Sequence, residues 1–515
     1  MSENGEFARG AGASLRGMDT PLPSVLPDTR TCERARLSRD ARFDGLFFTA
    51  VTSTRIYCRP VCPAPSPKPT NVRYYASAAA AEADGFRPCL RCRPELAPGN
   101  GDWQRGGHAV ARALTLIEHG ALETGSVDEL AARIDLGARQ LRRLFVEHVG
   151  VPPLSVHTTR RLLFAKQLLT ETAMPVTEVA LAAGFGSLRR FNAAFAQANR
   201  LPPRELRRQP RAPAGAPLVL RLGYRPPYDF TALLAFLRGR ALPGVEAVDE
   251  ASYARVFGDP TQPSWLRLSA WPQGEHALRL ELHGVAPAQL LGVVTRLRRM
   301  FDLDASPQAI AAVFKRDAVL GPLAKKHPGQ RLPGGWDGFE IAVRAILGQQ
   351  VSVAAARTLA SRVVQRFGTP LAEAPLPGLE RFFPTAAQLA EADLGALGIT
   401  GARIATIRAV AQALLDGRID FRPEQPLETF VERWVALPGI GAWTAHYMAM
   451  RVLSHPDAFP AADLILRRAA APGAEELSTR ALEQRAEAWR PWRAYAVMHL
   501  WRSVGEAAVA TGAKR

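Results

Sequence analysis

Four of the chain's five cysteines fall in two close pairs, Cys58-Arg-Pro-Val-Cys62 and Cys89-Leu-Arg-Cys92, with 26 residues between them. Each short loop can supply two thiolates, and two such loops supply the four vertices of a tetrahedral Zn²⁺ site. The fold around them is therefore obliged to bring Cys58, Cys62, Cys89 and Cys92 together, and one Zn²⁺ per chain is expected. All five cysteines lie between Cys32 and Cys92, and none occurs in the 423 residues that follow. That clustering argues for a metal or reactive site over disulfides. The start, MSENGEFARGAGASLRG, lacks the apolar core of a secretory signal, so a reducing cytoplasm is expected. Cys32 has no paired neighbour and reads as a buried apolar residue. A four-thiolate site is either structural or, with its sulfurs kept deprotonated, nucleophilic.

At 515 residues the chain exceeds a single core, and three to five domains are expected. The fold class is multidomain, mostly α with α/β parts. Residues 1–28 are rich in Gly, Ala, Pro and Ser and read as a disordered leader. A small α/β cysteine module spans 29–98, helical periodicity runs over 102–210, and a Pro/Ala linker occupies 211–217. Residues 218–305 mix the strand-like runs LVLRLGY, SWLRLSAW and ALRLELHG with two helices; residues 306–508 are helical. The net charge is +17, with +6 in 29–98, +6 in 101–211 and +7 in 212–515. A positive excess shared by every folded segment fits a polyanion such as double-stranded DNA, although an Arg-rich proteome also produces one. No run approaches the ~20 apolar residues of a membrane helix, so no membrane partner is expected.

The helical middle holds two helix-turn-helix units. VDELAARIDLGARQLRRLFVEHVG turns at Leu136-Gly137, and VTEVALAAGFGSLRRFNAAFAQANRLPP turns at Gly184-Phe185-Gly186. The second helices expose Arg139, Gln140, Arg142 and Arg143, or Arg189, Arg190 and Asn192. Arg and Asn/Gln read guanine and adenine edges in the major groove, but such a face is also often an ordinary solvated one.

Further on, Leu437-Pro-Gly-Ile-Gly-Ala-Trp443-Thr-Ala reads as a helix-hairpin-helix. Gly439 and Gly441 permit a tight turn, and the backbone N–H groups opening the second helix form an anion site for a DNA phosphate. Asp463 stands 24 residues after Gly439, where another helix is about to begin. It is read either as a helix N-cap or as a carboxylate with chemistry to do. Trp443 and Tyr447 are four apart and share a helix face; with Trp501 they are either core or the lining of a cleft.

The words around these residues resemble known families. FFTAVTSTRIYCRPVC and YYASAAAAEADGFRPCLRC, in residues 30–96, resemble the amino-terminal domain of Ada adaptive-response regulators. The resemblance implies that Cys58 irreversibly accepts a methyl group from a DNA methylphosphotriester. Arg59, Arg87, Arg91 and Arg93 flank the ligands as candidates to hold the phosphate. The doubled helix-turn-helix, with its GF-S--RF-AF-----P-P segment, resembles the AraC-type DNA-binding domain. It implies sequence-specific promoter recognition with RNA polymerase as partner, though no residue marks a polymerase contact. Residues 218–505 resemble AlkA-type 3-methyladenine DNA glycosylases, through RPPYDF, MFDLDASPQAI, LPGGWDGFEIAVRAILGQQVSVAAA, LPGIGAWTAHYMAMR and WRPWRAYAVMHLW. The resemblance implies an α+β subdomain over 218–305, an all-α helix-hairpin-helix glycosylase domain over 306–508, and no cofactor for the glycosylase. It makes Asp463 the catalytic carboxylate, Trp443, Tyr447 and Trp501 the base pocket, and Gln350 the wedge filling the gap left by a flipped nucleotide. The wedge is often Leu, so the polar Gln350 departs from the pattern.

The strand-cutting relatives need a hairpin lysine, whereas Trp443 stands there and no lysine occurs from His327 to Ala513. Iron–sulfur members need four later cysteines, and the Pro-Cys-His motif of O6-alkylguanine repair is missing. The expected protein is a monofunctional glycosylase of alkylated purines fused to a methyl-sensing transcription regulator. The alternatives are a regulator whose glycosylase half is inactive, and a repair enzyme whose Ada-like part no longer regulates.

Overall fold

The computed structural model describes residues 26–99, 109–118, 120–207, 217–423, 425–471 and 476–510. Most of the expected leader and nearly all of the expected linker lie outside the described residues. Asp28, placed in the leader above, caps the helix Thr29–Leu37 by accepting from the Thr31 N–H at 2.9 Å.

The cysteine module is a four-stranded sheet with two short helices. Strands Phe48–Val51, Ile56–Cys58 and Val72–Tyr75 pair antiparallel, and Arg87–Pro88 runs parallel to Ile56–Cys58. That parallel pairing sets the start of the second cysteine loop beside the end of the first. Phe48, Tyr57 and Phe86 fill the small core behind the sheet.

In the first helix-turn-helix, Val127–Ala132 and Ala138–Val149 enclose a turn whose left-handed residue is Asp135, while Gly137 is extended at φ −80°. The turn was expected at Leu136-Gly137. Asp is among the few non-glycine residues that tolerate the left-handed region. In the second unit, Val176–Ala182 and Leu188–Asn199, Gly184 takes that conformation. The 19-residue helix Pro153–Glu171 joins the units and straps the modules together. Its buried Lys166 pairs with buried Glu95 of the cysteine module and donates to the Cys89 carbonyl at 3.3 Å. The next residue, Gln167, donates to the Arg221 carbonyl at 2.8 Å, at the edge of the next sheet.

That sheet has five antiparallel strands in the order Leu218–Gly223, Ala277–His283, Gln262–Ala270, Ser252–Asp259, Glu246–Val248. Leu220, Leu222, Leu266, Leu268, Leu278, Leu280 and Leu282 alternate onto one face, as period-two side chains must. They share one hydrophobic core with Phe191 and Phe195 of the second helix-turn-helix. Ser252–Asp259 and Glu246–Val248 were not among the strand-like runs read above. Residues Tyr253 to Phe257 are all buried, so no alternation marks them, and buried Arg255 interrupts the apolar run. Arg255 pairs with Glu340 and Glu246 instead of water.

Arg225 is fully buried where three segments meet. Its guanidinium donates to carbonyls of Asp44 at 2.7 Å, Asp304 at 2.6 Å, Ala305 at 3.2 Å, Pro98 at 3.3 Å and Gly99. The remaining chain is helical. Gly338–Leu347 lies at its centre and packs against Val353–Phe367, Gly401–Leu415 and Ala442–Arg451. Among the described residues no helix is long and apolar enough to cross a membrane.

Candidate functional site

Helix Leu427–Val435, the turn Leu437–Gly441 and helix Ala442–Arg451 form the hairpin. Gly439 sits at φ +79°, and a Cβ there would lie 2.0 Å from Thr406 Oγ1, so only glycine fits. Gly441 differs from the expectation of two turn glycines. Its φ of −93° suits any residue, and a Cβ would meet nothing within 4 Å. The space before the helix's first N–H groups is left open. Gln349 braces the turn from outside, donating to the Gly439 carbonyl at 3.0 Å and to Thr444 Oγ1 at 3.2 Å. The next residue, Gln350, is exposed and held at φ +57°, between the helices Gly338–Leu347 and Val353–Phe367. Exposed Val351 and Val353 flank it.

Asp463 is a helix N-cap whose carboxylate also meets two indoles. It caps Leu464–Ala469, with Oδ1 accepting from the Leu466 N–H at 3.0 Å. The Trp443 indole N–H donates to Oδ2 at 2.9 Å, and the Trp501 indole N–H reaches Oδ1 at 3.4 Å. Trp443 and Tyr447 stack flat, 5.3 Å apart and 6° from parallel, and Trp501 lies 6.4 Å from Tyr447 at 46°. All four side chains are half-buried. The structure thus brings Asp463, Trp443, Tyr447 and Trp501 into one wall, although Trp501 comes from the last helix, Arg493–Ala510. Tyr447 and Trp501 also pack against the helical core, while the indoles of Trp443 and Trp501 spend their N–H groups on a partly exposed carboxylate.

Two residues absent from the sequence reading complete this wall. Arg451 Nη1 donates to the Tyr447 hydroxyl at 2.8 Å, and the positive charge of Arg240, from the α/β subdomain, acts on the same hydroxyl. The four-residue spacing of Tyr447 and Arg451 on one helix was available as a signal. Arg240, some 200 residues away in the chain, left none.

In the cysteine module, the Sγ atoms of Cys58, Cys62, Cys89 and Cys92 all lie within 4.8 Å of one another. Backbone N–H groups of Arg59 and Arg91 point at the sulfurs of Cys92 and Cys89, each at 3.4 Å. Four converging sulfurs with N–H donors and no competing carboxylate suit Zn²⁺. Cys89 and Cys92 are buried at 6% exposure each, whereas Cys58 and Cys62 are half-open. Cys32 is fully buried outside the cluster, and burial first, then Asp28, pushes its thiol up to about 12.

The flanking arginines divide. Arg59 is paired with buried Asp44 and donates to the Cys92 carbonyl at 3.0 Å. Arg93 pairs with Glu95 and Glu171. Arg87 is half-buried and Arg91 exposed, and neither side chain has a partner among the described residues. Arg139, Gln140, Arg142, Arg143, Arg189, Arg190 and Asn192 are all exposed, as their helical spacing predicted.

Together these sites define a DNA-repair glycosylase domain joined to zinc-binding and helix-turn-helix regulatory domains. Family models agree on each part: the metal binding domain of Ada over residues 31–95, a helix-turn-helix domain over 130–209, the AlkA N-terminal domain over 219–337, and the HhH-GPD superfamily base excision DNA repair protein over 343–492. The probable bifunctional transcriptional activator/DNA repair enzyme AlkA of Mycobacterium tuberculosis is 41% identical over 480 residues, covering 92% of this chain and 96% of that one. DNA-3-methyladenine glycosylase 2 of Escherichia coli is 35% identical over 289 residues, 55% of this chain and 97% of its own. The bifunctional transcriptional activator/DNA repair enzyme Ada of Escherichia coli is 35% identical over 149 residues, 29% of this chain and 40% of its own. The chain belongs to the family of AlkA-type bifunctional transcriptional activators and DNA repair enzymes.

Proposed function

We propose that this protein binds double-stranded DNA, releases alkylated purines such as 3-methyladenine by hydrolysing the N-glycosidic bond, and senses methylphosphotriesters through Cys58. The observation that carries the glycosylase reading is Asp463, whose carboxylate meets the indoles of two aromatics that could stack on a base. As the bond between sugar and base breaks, its electron pair leaves with the base and positive charge grows on the sugar. The Asp463 carboxylate stabilises that charge until water adds to the sugar carbon and loses a proton. Electron-poor alkylated bases favour a π-rich wall. The open approach at Gly441 suits a DNA phosphate on the hairpin's N–H groups, and Gln350 stands beside the duplex as the wedge.

For the sensor half, Cys58 Sγ bonds to the methyl carbon as the carbon–oxygen bond of the phosphotriester breaks, and that electron pair stays on the phosphate. Cys58, Cys62, Cys89 and Cys92 would hold one Zn²⁺, whose charge keeps the sulfurs deprotonated. The half-open position of Cys58 supports this role, and Arg91 is the flanking guanidinium best free to meet a phosphate. Methylation removes one negative charge beside the DNA backbone, so affinity rises, and the exposed faces around Arg142 and Arg189 read promoter bases.

The experiment is Asp463→Asn. Asparagine can still cap the helix, so folding and binding to an abasic-site duplex are expected to stay near wild type. Release of 3-methyladenine is expected to fall at least ~100-fold, the scale of a lost electrostatic group. Release close to the wild-type rate would make Asp463 a cap alone and overturn the mechanism.

A further inference from the structure

We propose that Gln349 and Arg403 are positioning residues that lock Gln350 to the hairpin turn, so that the wedge and the grip on a DNA phosphate act as one rigid clamp. This rests on the glycosylase reading above. Gln350 is held at φ +57°, a conformation that residues with a side chain seldom adopt and keep only where their surroundings impose it. The surroundings act here through Gln349. Its carbonyl, in the peptide that leads into Gln350, accepts from Arg403 Nη2. Its side-chain amide donates to the Gly439 carbonyl at 3.0 Å and to Thr444 Oγ1 at 3.2 Å. Its backbone N–H donates to the Ile346 carbonyl at 3.2 Å, which ties it to the end of the helix Gly338–Leu347. A single residue thus joins the wedge to the hairpin on both sides of the N–H groups that open the second helix.

Helix Gly401–Leu415 closes the triangle. Arg403 and Thr406 are three apart and share one face of it. Arg403 holds the Gln349 carbonyl, while buried Thr406 abuts Gly439 and donates back to the Ala402 carbonyl at 3.0 Å. Wedge turn, hairpin and helix therefore each touch the other two. Among the described residues Arg403 forms no ion pair, so its guanidinium is spent on the wedge turn and not on a carboxylate.

The consequence lies in base flipping. A nucleotide leaves the stack only while the backbone is gripped and the gap it leaves is filled. A wedge free to move relative to the grip must be ordered at that moment, whereas a clamp set during folding has met that cost already.

The test uses the full chain, Gln349→Met and Arg403→Met; both positions are half-buried, so folding is expected to survive. The duplexes carry 7-methylguanine beside 2-aminopurine, whose fluorescence rises when the stack opens. Binding to undamaged duplex is expected to stay at the wild-type level. In either variant the fluorescence rise should shrink and single-turnover release of 7-methylguanine should slow about 10- to 100-fold, the scale of a misplaced group. The defect should shrink severalfold when 7-methylguanine is mispaired with thymine, because unstacking is then cheaper. An equal defect in paired and mispaired duplexes, or none in either, overturns the clamp. A loss of about one unit in the salt dependence of binding by Arg403→Met would make Arg403 a phosphate contact and overturn its positioning role. A fluorescence rise that Gln349→Met abolishes, with no base release by the wild type, upholds the clamp and overturns the glycosylase reading instead.

Discussion

The cysteine centre and the aromatic cleft are built in opposite ways. The metal centre takes all four sulfurs from residues 58 to 92, and one parallel strand pairing, Tyr57 with Pro88, brings its two loops together. The cleft takes Trp443 and Tyr447 from one helix, Asp463 from the start of another, Trp501 from the last helix and Arg240 from a different subdomain. A local site can be lost through a single ligand. A distributed site depends on the packing that holds every one of its elements in place.

The sharpest way to break the contrast is Cys89→Ser. The variant is expected to lose most bound zinc by metal analysis, because a structural site contributes on the order of 10 kcal/mol or more to folding its module. Base release should persist, since no cleft residue comes from the cysteine module. Full retention of zinc would end the four-cysteine assignment.

Arg225→Met attacks the junction between the two regions. It leaves five carbonyls without their buried donor, each costing about 1–3 kcal/mol when left unpaired. The cysteine module is then expected to become protease-sensitive while the glycosylase half stays resistant. Unchanged proteolysis of both halves would show that Lys166 and its neighbours dock the module alone.

The hairpin glycines sharpen the contrast within the cleft itself. Gly439→Ala meets Thr406 in a left-handed conformation and is expected to destabilise the helical domain by about 2–4 kcal/mol. Gly441→Ala should change stability by less than about 1 kcal/mol yet weaken binding to an abasic-site duplex, because its methyl enters only open space. Equal stability losses would mean both glycines serve the turn.

The smallest effect is expected from Gln350→Leu. An apolar side chain at this exposed position should tighten binding to an abasic-site duplex by a few fold, worth about 1 kcal/mol, and leave the metal centre untouched. Weaker binding would show that Gln350 works through its amide.

Much of this was legible before any coordinates. Cysteine spacing announces a tetrahedral site because the ligand loops are short and metal geometry is fixed. The helix-turn-helix faces follow from helical periodicity, which places Arg142 and Arg189 outward whatever surrounds them. Trp443 and Tyr447 share a face for the same reason. These are all consequences of local order, where a residue's neighbours in the chain are its neighbours in space.

Folding in three dimensions settled the rest. The buried strand Ser252–Asp259 carries no alternation, since both of its faces are covered. Arg59, beside the first ligand, is claimed by Asp44 across the module. Gly439 and Gly441 look alike in the motif, and only the approach of Thr406 separates their roles. Asp463 caps its helix through local sequence, whereas the indoles of Trp443 and Trp501 on its oxygens are placed there by the tertiary fold alone. In each case the deciding partner is far away in the chain, and long-range packing and hydrogen bonding, which leave no periodic trace in a sequence, assign the residue its chemistry.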